Sequence, residues 1–156
     1  MISTPSHSTM FALLIVTTLS ACGSSDGLDR VPIMGLVTVE GTPLPGAVLS
    51  FTPANGTPGL GALGTSDEAG KFEVVSSRQD DAGIPPGEYT VRVSRLAMPD
   101  GTPVPPDAPD ADYPGSKESV PAPYSSADSP LKVTISPAGG EIQVDIPAKL
   151  LEPKKK

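Results

Sequence analysis

Pro85-Pro86-Gly87-Glu88-Tyr89-Thr90-Val91-Arg92-Val93-Ser94 is the stretch on which the fold turns. After a Pro-Pro-Gly turn, Tyr89, Val91 and Val93 fall on one side, and Thr90, Arg92 and Ser94 on the other. Strict alternation of this kind marks a β-strand with one buried face. The same period extends outward in both directions. Upstream, Ile33, Gly35, Val37 and Val39 share one face, as do Ala47, Leu49 and Phe51, then Phe72 and Val74. Downstream, Leu131, Val133 and Ile135 form an inward row, and Ile142, Val144 and Ile146 form the last.

The connections are built from turn chemistry. Glu40-Gly41-Thr42-Pro43 and Leu44-Pro45-Gly46 separate the first two strands. Pro53 to Gly59 is a loop centred on Asn55-Gly56, a strong turn pair. Leu60 to Ser66 reads as a short, glycine-weakened edge strand. Thr65-Ser66-Asp67-Glu68-Ala69-Gly70-Lys71-Phe72 reads as a hairpin in which Asp67 accepts backbone N–H bonds and Gly70 takes positive φ. Pro137-Ala138-Gly139-Gly140 reads as a hairpin between the last two strands. The count is seven short strands and no helix between Val31 and Pro147, which predicts an all-β, seven-stranded Greek-key β-sandwich.

Composition agrees. The chain has 156 residues with 16 Gly and 20 Pro, residue types that helix interiors tolerate poorly. One stretch departs from the alternation. Residues 99–123 hold eight prolines, with Asp100, Asp107, Asp110, Asp112 and Glu118 set against Lys117. Proline has no N–H to give to a ladder, so this insertion reads as an exposed, extended, mobile excursion. The formal net charge is −7, which argues against nucleic acid as a partner, because phosphate binding rests on Lys and Arg.

Function is read first from the amino terminus. The apolar run Phe11-Ala12-Leu13-Leu14-Ile15-Val16 is too short to span a bilayer as a helix, which needs about 20 residues. Leu19-Ser20-Ala21 follows, then Cys22, the only cysteine. This arrangement resembles the lipobox of a bacterial lipoprotein signal peptide. The resemblance implies cleavage before Cys22, a lipid on its sulfur and attachment to a membrane of the cell envelope. An ordinary secretory cut near Ala21 is the competing reading, and it leaves an unpaired thiol in an oxidising compartment. Gly23, not Asp, follows the cysteine, which favours the outer membrane over the inner. The organisation is then a signal peptide (1–21), a polar tether (22–30), a β domain (31–147) carrying the insertion, and a basic tail (148–156) ending in Lys154-Lys155-Lys156.

Three stretches taken in order resemble a known family. They are Val37-Thr38-Val39-Glu40-Gly41-Thr42-Pro43-Leu44-Pro45-Gly46-Ala47, the hairpin Thr65 to Phe72, and Pro85-Pro86-Gly87-Glu88-Tyr89-Thr90-Val91. Together they are similar to carboxypeptidase regulatory-like, transthyretin-like β-sandwich domains. That resemblance implies a module usually without catalysis, placed beside enzymes, adhesins or transporters. Transthyretin-like hydrolases carry several His and Arg in a channel and a Tyr-Arg-Gly-Ser ending. Here the single histidine is His7, in the leader, and the chain ends in lysines. An enzyme is therefore not expected, and no cofactor is implied.

The candidate binding residues are few. Asp67 and Glu68 with Asp80 and Asp81 could gather oxygens for Ca²⁺ at one end of the domain, although turn capping and solubility account for the same side chains. The expected role is a structural or interaction module of the envelope, partnered by the membrane and by an envelope protein or glycan. The alternative is a ligand-binding module for glycan, peptide or Ca²⁺ that works with an enzyme or transporter.

Overall fold

A computed structural model describes residues 26–77 and 83–151, and these contain strands and one 3₁₀ turn but no α-helix. The strands are β1 (Ile33–Val39), β2 (Thr42–Pro43), β3 (Val48–Ala54), β4 (Ala62–Thr65), β5 (Lys71–Ser76), β6 (Gly87–Ser94), β7 (Leu96–Ala97), β8 (Lys117–Glu118), β9 (Lys132–Ile135) and β10 (Gly140–Ile146). The seven strands read from alternation are β1, β3, β4, β5, β6, β9 and β10. They hydrogen-bond in one path, β10-β1-β5-β4-β3-β6-β9, and the two-residue β2 adds to β1.

The path is one mostly antiparallel sheet that curls over its own core like half a barrel. The bend lies in β5. Its first half pairs with β1 (Met34↔Glu73, Leu36↔Lys71), and its second half pairs with β4 (Gly64↔Val74, Ala62↔Ser76). Inward residues of both halves then meet in one cluster, in which Ile33, Val37, Leu49, Phe51, Tyr89, Val91, Val93 and Ile146 are all essentially solvent-free. Tyr89 is buried whole, and its hydroxyl donates to the Pro85 carbonyl at 2.7 Å. Burial raises its pKa, and Arg30 opposes that rise. The phenol therefore satisfies its one polar atom locally, as buried tyrosines must.

The hairpin between β4 and β5 forms as its residues predict. Asp67 Oδ1 accepts the N–H groups of Ala69 and Lys71, both at 2.9 Å, and Gly70 has φ +75°. Three other expectations are corrected. The Leu60–Ser66 segment is not an edge, because β4 lies between β3 and β5. Its glycines mark close approach instead of a frayed border. A Cβ on Gly61 would stand 2.4 Å from the Phe51 carbonyl oxygen.

The Pro137–Gly140 turn does not make a hairpin. β9 pairs with β6, and β10 pairs parallel with β1 over seven residues, from Ile33↔Gly140 to Val39↔Ile146. The Gly140 N–H donates to the Pro32 carbonyl, which docks the start of β10 against the start of β1. Alternation states which side of a strand is buried, but not which strand lies beside it.

The proline-rich insertion is mostly exposed, as expected, but it is docked at a few points rather than extended throughout. Val104 and Val120 are buried, β7 pairs with β8, and the Val104 N–H donates to the Leu96 carbonyl at 2.9 Å. Its prolines sit mostly outward, so their missing N–H groups cost nothing, and the few non-proline residues make the attachments.

Candidate functional site

Two places concentrate polar chemistry. The first is a clasp at the end of β6. Continuing the period of Tyr89, Val91 and Val93 brings Arg95 inward, and Arg95 is 9 % exposed. Its Nε donates to the Pro45 carbonyl at 3.0 Å and its Nη1 to the Ser119 hydroxyl at 3.1 Å. The Ser119 hydroxyl returns a bond to the Arg95 carbonyl at 2.7 Å. Glu118 completes the group. Its Oε1 accepts the backbone N–H groups of Arg95 (3.0 Å) and Val120 (2.8 Å), and its Oε2 accepts the Ser94 hydroxyl at 2.6 Å. Burial lowers the pKa of the guanidinium, and the Glu118 charge acts against that. The Leu151 N–H donates to the Ser119 carbonyl at 2.7 Å, so the chain beyond β10 is held by the same residues. The clasp satisfies itself internally. It is a fastening for the insertion, not a vacant site.

The second place is an open groove of about 780 Å³ on the outer face of β10, β1 and β5. The registers build it. Glu73, Met34 and Glu141 form one cross-strand row, and Lys71, Leu36 and Gln143 form the next. Gly35 and Phe72 lie at its floor, and Thr65 and Asp67 close one end. Met34 is 58 % exposed in the middle of this row. Three carboxylates (Asp67, Glu73 and Glu141) and one ammonium (Lys71) surround the groove, so its potential is negative. An apolar strip between carboxylates suits a cationic ligand with an apolar body.

Of the four candidate metal residues, Asp67 and Glu68 are placed, both exposed in the β4–β5 turn. Asp67 is exposed, and its Oδ1 is engaged by two backbone N–H groups. Asp80 and Asp81 lie outside the described residues, as do Leu19, Ser20, Ala21 and Cys22. Among the described residues no group of three or more His, Cys, Asp or Glu is placed to hold a metal ion. Asp67→Ala is expected to lower stability by about 1 kcal/mol, since two turn N–H groups lose their acceptor. Asp67→Asn is expected to lower it much less, because the amide oxygen accepts the same bonds. Thermal melts of the two variants with and without added Ca²⁺ read this. A melting point raised by Ca²⁺ in the wild type and not in Asp67→Asn would instead make the carboxylate a ligand.

Arg95 and Glu118 escape a reading of the sequence for different reasons. The signal for Arg95 was present, because period two carried past Val93 lands on it. The signal for Glu118 was not, because it is one acid among several in the insertion. No family model, no curated protein and no solved structure matches this chain.

Proposed function

We propose that this chain is a lipid-anchored, non-catalytic β module of the bacterial cell envelope, outer membrane rather than inner, acting as a structural or interaction partner. The single observation that carries the proposal is Cys22, the sole cysteine, set directly after an apolar run and Leu19-Ser20-Ala21 and before the polar stretch Gly23-Ser24-Ser25-Asp26. A lipid on that sulfur explains an otherwise unpaired exported thiol, and two or more acyl chains hold a protein to a bilayer stably. The proposed architecture is a Greek-key sandwich of the carboxypeptidase regulatory-like, transthyretin-like kind. It is supported by the turn glycines of the resemblance. Gly46 and Gly70, for example, have φ of +68° and +75°, conformations that side chains disfavour.

The test is metabolic labelling with palmitate in a bacterial host, followed by membrane fractionation. Wild type is expected to take the label and sediment with the outer membrane. Cys22→Ala is expected to lose the label altogether and remain in the soluble fraction. Equal labelling of the two would overturn the anchor. The second reading, a ligand-binding module serving a neighbouring enzyme or transporter, is favoured in its peptide form by the acidic, apolar-floored groove.

A further inference from the structure

We infer that the free edge of β10 is a docking site for an extended basic segment of a partner protein, which adds to the sheet as a further strand with Lys or Arg opposite Glu141 and Asp145. This rests on the interaction-module reading and not on the lipid anchor. Among the described residues β10 has β1 as its only strand neighbour. The Gly140 N–H donates to Pro32 at 3.3 Å, and the Ile146 carbonyl accepts from Glu40 at 3.1 Å. In a parallel ladder, alternate residues turn both backbone groups to the same neighbour. Gly140, Ile142, Val144 and Ile146 therefore face β1, and Glu141, Gln143 and Asp145 turn their N–H and C=O groups outward. Three donor–acceptor pairs along one edge form a template for an added strand.

The same three residues carry the exposed side chains of β10, so one set of positions defines both backbone pairing and charge. Their charge selects the occupant. Pairing two copies antiparallel about Gln143 would set Glu141 against Asp145 twice, and parallel in-register pairing would set each acid against itself. Like charges directly opposite one another destabilise a strand pair, so a second copy is the poorer partner. An incoming strand with basic residues four apart meets both acids, at Asp145 through Oδ2, since its Oδ1 accepts from the Thr38 hydroxyl and the Gly41 N–H. Of the three residues between the basic positions, the first and third lie on the face of Ile142 and Val144 and the middle one on that of Gln143, and Ile142 is only partly buried. The adjoining groove, with Met34 between Glu73 and Glu141, lies on the face of Glu141 and Gln143 and adds negative charge to it.

The probe is an acetylated, amidated peptide, Thr-Lys-Val-Thr-Val-Lys-Thr, titrated against the full chain in detergent and against Cys22→Ala. Both proteins are expected to bind it alike, so loss of palmitate labelling and loss of peptide binding are separate failures. Glu141→Lys changes an exposed side chain, and it is expected to weaken binding at least about tenfold while favouring the peptide with Glu in place of Lys. The peptide adds antiparallel, which sets its central Thr in a hydrogen-bonded pair with Gln143, so Pro at that Thr is expected to weaken binding at least about tenfold by removing a ladder N–H. The inference is overturned if the lysine peptide does not bind, if the proline peptide binds equally well, or if Glu141→Lys binds the lysine peptide unchanged. It is also overturned if sedimentation shows wild type pairing with itself through an interface that Glu141→Lys abolishes.

Discussion

Arg95→Ala is expected to destabilise the protein by about 3 kcal/mol, the order found when one partner of a buried charged network is removed. The truncation strips the Pro45 carbonyl and the Ser119 hydroxyl of their donors, at 3.0 and 3.1 Å in the wild type. It also removes the cation that the nearby Glu118 charge favours. The effect reaches beyond local energy, because Glu118, Ser119 and Val120 are the points at which the insertion meets the sheet. Limited proteolysis is therefore expected to cut within residues 99–116 in the variant much faster than in wild type. Arg95→Lys keeps the charge but loses the fork that reaches two acceptors, so an intermediate loss is expected. The double variant Arg95→Met with Glu118→Gln should recover part of the stability, since it removes the charge along with its partner. Urea denaturation measures all four proteins. A change under about 0.5 kcal/mol for Arg95→Ala, the size of an ordinary surface substitution, would show that the clasp fastens nothing.

Gly35→Ala is expected to cost a similar amount, about 3 kcal/mol, at the upper end of what overpacking does. The added Cβ would stand 2.4 Å from Phe72 Cζ and 2.7 Å from the Ile142 carbonyl oxygen. The first neighbour is a ring tip, and the second is the backbone of β10, so relief requires the ring to move or the β1–β10 ladder to open. Ring movement is opposed on two sides. Phe72 packs on Phe51 at a centroid distance of 6.1 Å, and a Cβ on Gly64 would meet its Cδ2 at 3.1 Å. The two glycines thus make room for one phenylalanine at the bend of the sheet. Phe72→Leu alone is expected to lower stability, while Gly35→Ala combined with Phe72→Leu should lose less than the sum of the two. A coupling of about 1 kcal/mol is expected for such contacting residues. Strict additivity would mean that the Ile142 backbone contact alone sets the cost.

How much of this could be read beforehand is clearest residue by residue. Tyr89, Val91 and Val93 are inward because their period says so, and Asp67 and Gly70 form their turn because bonds within a few residues of each other decide it. The groove and the edge were not legible. Met34 meets Glu73 and Glu141 only because β1 lies between β5 and β10, and nothing within β10 indicates that it runs parallel to β1. The insertion misled for a related reason. Its many prolines describe the backbone they occupy, but Val104, Ser119 and Val120 decide where it rests.

By itself the amino-acid sequence determined the number and faces of the main strands, the turns between them and the composition of the core, since each depends on a period of two or on bonds between near neighbours in the chain. Only the tertiary structure decided the strand order, the edges, the groove on the outer face and the burial of Arg95 against Glu118. These depend on contacts between residues far apart in sequence, among which many arrangements share the same alternation, and close packing around the glycines and the buried charge selects one.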